Sequence, residues 1–373
     1  MVQVKQECLF KYSSEGELYK TLKFLPKIDL HRHLTGTITA RTAIEVASSH
    51  DLPLPTWVEA DLEAIITKKP VAKQLPDYFE PWRFLNKLFS RLPAVKQIVR
   101  SAVRDAAEDN VVYLELRMAP QGFLGDTPCH YRFEDFIEEI STTVRECERD
   151  YNVITRCILG VPRHTFKKVP LPARIKMFWA MIDVISRATD CFVGVDLNGV
   201  EDVGSPADFS SFFEMAADRG LGITIHAGEV CGASGISEAV TQLGARRIGH
   251  GVAAALDCSV MRLLSDRNCL LEICPTSNVL LGIFDAYREI PLPLFEEMNV
   301  PFAICTDNPG RCRSSLTEEL LRLSLSFGFD PPRYEFLMAR ANEYSFASDE
   351  VRREVSIRLN GIHLESEPQT LIA

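Results

Sequence analysis

Two histidines separated by one residue, His31 and His33, stand at the end of an apolar run, LPKIDLHRH. Alternate side chains of a strand share a face, so the two imidazoles point one way and Arg32 the other. If that face lines a barrel, both rings can converge on one ion. Comparable residues recur downstream. LGITIHAGE runs into His226 and, three residues on, Glu229; RRIGHG ends at His250 between glycines; PFAICTDNPG ends at Asp307 and Asn308. Three imidazoles and a carboxylate suit Zn²⁺, and a catalytic zinc keeps an open position for a water whose pKa it lowers towards neutrality. A further histidine beside it can orient or deprotonate that water, and an acid can protonate the atom that takes up charge. The expected chemistry is metal-assisted hydrolysis.

Each residue also has a plainer reading. Asp307 is placed to cap a helix over RSSLTEELL. Glu115 and Arg117, on one face of VVYLELRMAP, read as an internal ion pair, and His50, His130, His164 and His363 as ordinary hydrogen-bonded histidines.

The elements that must position these groups are short β-rich runs at Lys27–His33, Val111–Arg117, Ile154–Val161, Phe192–Leu197, Gly222–His226, Arg247–His250, Cys269–Cys274 and Pro301–Thr306. Charged amphipathic segments such as Tyr131–Asp150 and Pro170–Thr189 lie between them. Strand–helix alternation gives a parallel sheet, and eight units give an α/β fold, a single (β/α)8 TIM barrel over residues 1–373. The long gap between the first two strands requires extra helices inserted after strand 1. Within it, Leu75, Tyr78, Phe79 and Trp82 fall on one helical face, with Pro81 as a kink. They form either a cover for the barrel or an apolar lid over its mouth.

Composition narrows the function classes. With 46% hydrophobic and 25% charged residues the chain reads as an ordinary soluble domain. Its net charge of -10 argues against nucleic acid as a partner, because phosphate contacts need Lys and Arg. No apolar run is long enough for a membrane span, and the charged opening MVQVKQECLFKYSSEGELYK lacks the apolar stretch of a signal peptide. The 11 cysteines are scattered, several inside apolar runs (Cys157, Cys191, Cys274, Cys305), and read as reduced thiols of a cytoplasmic protein. Composition does not reveal the oligomeric state.

LPKIDLHRHLTGT, VYLELRMAP, VGVDLNG, HAGE, RIGHG, CPTSNVLLG and CTDNP, in this order, resemble the adenosine deaminase family, and ARANEYSFASDEV is similar to its C-terminal helical stretch. The resemblance runs from about residue 25 to 355. It implies one Zn²⁺ per chain held by His31, His33, His226 and Asp307. It further implies Glu229 as proton donor to purine N1, and His250 as the group that orients and deprotonates the attacking water. Gly199 matches the glycine whose amide faces purine N3. Leu75, Tyr78, Phe79 and Trp82 correspond to apolar groups over the base. The implied reaction is deamination of a purine nucleoside, adenosine or deoxyadenosine, a small-molecule substrate.

Two positions depart from the family pattern. Thr35 stands where an acidic residue usually meets the ribose 5′-hydroxyl, which removes a charge that would repel a 5′-phosphate. Asn308 replaces the second aspartate of an Asp-Asp pair and can donate to purine N7 at any pH. Rival substrates are therefore N6-methyl-AMP and adenine. A binuclear metallohydrolase would carry a bridging lysine after the fourth strand, where Asp196-Leu197-Asn198 stands instead. A non-catalytic purine-binding barrel would have lost a ligand or Glu229, and all are retained.

Overall fold

A computed structural model describes residues 14–67, 81–119 and 130–361. Eight parallel strands follow one another in chain order: β1 (Lys27–His33), β2 (Val111–Met118), β3 (Ile154–Pro162), β4 (Phe192–Asn198), β5 (Gly222–Ala227), β6 (Arg247–His250), β7 (Leu270–Ile273) and β8 (Phe302–Ile304). Each pairs with its neighbour, and a parallel bridge between Arg32 and Asp307 joins the last strand's end back to the first. This is the expected (β/α)8 barrel, with helices Ala40–His50, Glu59–Ile66 and Leu92–Glu108 inserted after β1.

The helices form because their apolar residues recur at helical spacing and their ends are chemically marked. Phe133–Tyr151 carries Glu134 and Asp135 in its first turn, buries Phe136, Ile140, Val144 and Cys147 on one stripe, and stops at Asn152 with φ 57°. Each such side chain contributes roughly 1.5–3 kcal/mol when buried. Leu171–Ile185 opens with Pro172 and packs Phe178 against Phe166 and Phe212, ring centroids 5.0 and 4.8 Å away. No helix among the described residues is long and apolar enough to cross a membrane. The nine described cysteines are free, and Cys157, Cys191, Cys274 and Cys305 are buried.

The barrel interior is charged. Alternation sends Tyr113, Glu115 and Arg117 of β2 inward, all fully buried. Their shared face predicts an ion pair between Glu115 and Arg117, but each pairs instead with a residue of another strand, because barrel curvature brings better-placed partners across the interior. Glu115 pairs with Arg247 of β6, and Arg117 with Glu272 of β7 and with Asp196 of β4 at 3.4 Å. Glu272 Oε1 also forms an ion pair with Arg247, 2.8 Å from its Nε, and accepts a hydrogen bond from Thr224 Oγ1 at 3.1 Å. Phe346, from the loop after Pro331–Tyr344, plugs the bottom. Its ring lies under the Arg247 guanidinium at 3.7 Å, its N–H donates to Glu115, and Arg247 donates to the Tyr344 carbonyl at 3.1 Å. Gly194 and Gly222 make room for it: a Cβ on Gly222 would lie 2.1 Å from the ring.

Candidate active site

The bridge that closes the barrel also assembles the polar cluster. His33 N donates to the Asp307 carbonyl and Asp307 N to the His31 carbonyl, both at 2.8 Å. Asp307 is thereby committed to β1 and does not cap RSSLTEELL; Ser315 caps that helix, Leu316–Phe327, with Glu318 reciprocating. Asp307 (φ 60°) and His250 (φ 59°) both adopt left-handed backbone, a strain of about 1–3 kcal/mol each that surrounding packing must hold.

His31, His33, His226 and Asp307 meet at one point. His33 Nε2 lies 3.3 Å from His31 Nε2 and 3.1 Å from His226 Nε2, and Asp307 Oδ1 is 3.7 and 3.5 Å from the first two. Ligands 2.0–2.1 Å from a tetrahedral ion stand roughly 3.3 Å apart, so these separations fit a zinc-sized ion. The other ring nitrogens are occupied: His31 Nδ1 by Glu272 at 2.8 Å and His226 Nδ1 by Asp196 at 2.9 Å. Protons held on Nδ1 leave the Nε2 lone pairs aimed at the common point.

Burial sets the charge state of these rings. It drives His31 well below the ordinary imidazole range, helped by the nearby charge of Arg117. It pushes His33 down to about 3 even though Asp307 pulls the other way. Burial also lowers His226, but the charge and hydrogen bond of Asp196 outweigh it and raise that ring. Two neutral imidazoles beside carboxylates form an arrangement built for a cation. Gly249 is the spacer that permits it, since a Cβ there would lie 3.0 Å from the His31 ring and 3.2 Å from His226.

His250 and Glu229 flank the cluster. His250 Nε2 is 3.5 Å from Glu229 Oε1, and its Nδ1 is 3.2 Å from the Asn278 amide. The His250 ring centroid is 5.1 Å from that of His31 and 5.4 Å from that of His226. Glu229 is partly open to the mouth, with 18% of its side chain exposed.

The remaining predicted residues divide. Gly199 has φ 87° and packs on His164, whose Nδ1 would lie 2.7 Å from a Cβ there. Asn308 is buried against Gly36, where a Cβ would meet its Oδ1 at 1.9 Å. Thr35 is half-buried in the one-turn helix Thr35–Thr37 that follows β1. Trp82 is half-buried with the Arg311 guanidinium 4.8 Å over its ring. Leu75, Tyr78 and Phe79 lie outside the described residues, as does His363; Pro81 is the first residue described after them, so the stretch before the expected kink is outside as well. His50 bonds to Gln97 at 2.9 Å, as an ordinary histidine would.

Sequence reasoning missed the supporting acids. Asp196 and Glu272 sit on inward-facing strand positions, a period-two signal that marks them as interior but not what they hold. Glu201, in the loop after β4, accepts from the backbone N–H groups of Gly228, Glu229, Val230 and Cys231. Nothing in its local sequence marks that role.

The chain is similar to known proteins in sequence and fold. The adenosine deaminase family model matches residues 26–361. The adenosine deaminase of Clostridium botulinum (strain Kyoto / Type A2) is 30% identical over 340 residues, 91% of this chain and 98% of that protein. Among solved structures, the adenine deaminase of Arthrobacter aurescens superposes with a TM-score of 0.80 at 22% identity, over 91% of this chain and 99% of that one, a likeness of fold. The Arabidopsis N6-mAMP deaminase superposes with a TM-score of 0.77 at 25% identity, over 92% and 99%. This chain belongs to the adenosine deaminase family, whose members are metal-dependent, and is a hydrolytic deaminase acting on cyclic amidines, with a His/Asp group able to hold an ion.

Proposed function

We propose that the chain converts adenosine and deoxyadenosine to inosine or deoxyinosine and ammonia, using one Zn²⁺ per chain. The observation that carries this reading is the convergence of three imidazole Nε2 atoms and the Asp307 carboxylate beside the His250–Glu229 pair. The Nε2 atoms of His31, His33 and His226 and an Asp307 oxygen are the ligands. Zn²⁺ held there would supply a water of lowered pKa. His250 orients the attacking water and takes its proton. Glu229 delivers a proton to N1 of the base as C6 becomes tetrahedral; His250 passes the proton taken from water to the C6 amino group, which leaves as ammonia, and the C6 hydroxyl proton returns to Glu229 as the carbonyl forms. The Gly199 amide meets N3, the Asn308 amide donates to N7, and the Thr35 hydroxyl meets the ribose 5′ end. Trp82 covers the base, the role that the resemblance also assigns to Leu75, Tyr78 and Phe79. The 30% identity to an adenosine deaminase over 91% of the chain supports this substrate.

Thr35 favours a second reading, in which the substrate is a 5′-nucleotide such as N6-methyl-AMP. A threonine hydroxyl accepts or donates to either a hydroxyl or a phosphate and carries no charge to repel the latter. Ammonia or methylamine release with adenosine, adenine, AMP and N6-methyl-AMP, assayed in parallel, separates the readings. The expected result is turnover of adenosine with the highest kcat/KM. Turnover confined to the nucleotides, or to adenine, would overturn the choice of substrate while leaving the chemistry intact.

A further inference from the structure

Glu201 is a buried acid beside the mouth whose hydrogen bonds go to backbone amides and not to a histidine or an arginine. The residue is 8% exposed, and its carboxylate collects four consecutive amides of the turn after β5. Oε1 accepts from Gly228, and Oε2 accepts from Glu229 at 3.0 Å, Val230 at 2.8 Å and Cys231 at 3.0 Å. Gly228 has φ 67° and is pressed against Ile236, so the turn departs from the strand through a conformation that a side chain would not tolerate. On the opposite side, Arg163 from the end of β3 donates to the carbonyls of His226 and Gly204, and the charge of Glu201 acts on its guanidinium. The turn that carries both His226 and Glu229 is thus gripped at its carbonyl side by Arg163 and at its amide side by Glu201.

We propose that Glu201 is a positioning residue for Glu229. It fixes the backbone of residues 228–231 so that the Glu229 carboxyl stands within reach of the atom it protonates. The inference rests on the reading of Glu229 as proton donor. Proton transfer needs a donor held within a few tenths of an ångström of hydrogen-bond distance in the transition state, whereas ground-state binding of the purine draws on other contacts. Loosening the turn therefore lowers kcat and kcat/KM together and leaves KM nearly unchanged. Glutamine is a sharp substitution. Whichever way its amide is turned, its NH2 group faces backbone N–H groups and cannot accept from them.

The test measures kcat, KM, metal content and thermal midpoint for full-length zinc-loaded Glu201→Gln, Glu201→Asp and Glu229→Gln. The expected result is a kcat loss of about 10–100-fold for Glu201→Gln and a smaller loss for Glu201→Asp, which keeps the carboxylate one methylene short. KM should stay within about threefold and metal content at the parent level. If Glu201→Gln does not fold, Glu201→Asp decides by the same criteria. A parent-level kcat in a folded Glu201 variant would overturn the proposal, as would loss of metal in step with activity. Should Glu229→Gln itself turn over normally, the fault lies with the assignment of Glu229; a dead Glu229→Gln beside a normal Glu201→Gln refutes the positioning role alone.

Discussion

The rim of the barrel and the axis beneath it are both built from buried charged and polar side chains, yet they do opposite things with them. At the rim, His31, His33, His226 and Asp307 bring electron pairs together within 3.1–3.7 Å, an arrangement that only a cation makes favourable. Along the axis, Glu115, Arg117, Glu272 and Arg247 form ion pairs with one another across three strands. The two regions meet at Glu272 and Asp196, which belong to the axis by their arginine partners and to the rim by His31 and His226. The lower network thus orients the upper one: carboxylates held by arginines cannot drift, so the imidazoles they grip cannot turn. Chemistry sits at the rim, and rigidity is supplied from below.

Substitutions at the two levels should separate cleanly. The largest effect is expected at the rim. Glu229→Gln removes the proposed proton donor and should lower kcat by about 10²–10⁴-fold, with thermal midpoint and metal content unchanged. A near-parent kcat would show that Glu229 is not the acid. Glu272→Gln attacks the axis, leaving Arg117 and Arg247 short of an anion and His31 with a weaker acceptor. Breaking a buried ion pair from one side costs about 3–5 kcal/mol, so the urea midpoint should fall, and metal affinity with it. An unchanged midpoint would mean that the axis network contributes little and that the division between levels is wrong.

A smaller effect is expected from pH on the metal-free protein. His31 and His33 are depressed in the folded state relative to an ordinary imidazole near 6.5, His33 to about 3. The folded protein then binds fewer protons than the unfolded chain between those values, so their contribution is complete above about 6.5 and is lost as pH falls towards 3. His226, raised by Asp196 against the effect of burial, works in the opposite sense but is one ring against two. Thermal midpoints of the chelated protein should therefore decline below pH 6.5, and zinc should hold them up until protons displace it. A midpoint independent of pH across that range would contradict the neutral state assigned to the two rings.

Much of this architecture was legible in the sequence because it is local. The runs at Lys27–His33 and Arg247–His250 coincide with β1 and β6, since β-branched and apolar residues end abruptly at a polar turn. β8 is shorter than its run, Phe302–Ile304 instead of 301–306, because the chain beyond Ile304 turns to close onto β1. That closure is a long-range event, and it also explains why Asp307 is not a helix cap. The histidines and Glu229 announced themselves by falling at strand ends. Glu201 did not, because its partners are backbone amides 27–30 residues away, with no side-chain pattern to betray them. The partners of Glu115 and Arg117 were invisible for a related reason: a face of one strand can be read from alternation, whereas the strand opposite is set by how the barrel closes.

The most direct test of the central claim is a zinc titration of the chelated protein, followed by conversion of adenosine to inosine, alongside Asp307→Ala. Activity should be absent without metal, rise linearly and saturate at one equivalent per chain, and Asp307→Ala should bind zinc more weakly and recover little turnover. Full activity in the chelated protein, saturation only at two equivalents, or undiminished zinc affinity in Asp307→Ala would contradict a single metal held by the residues that close the barrel.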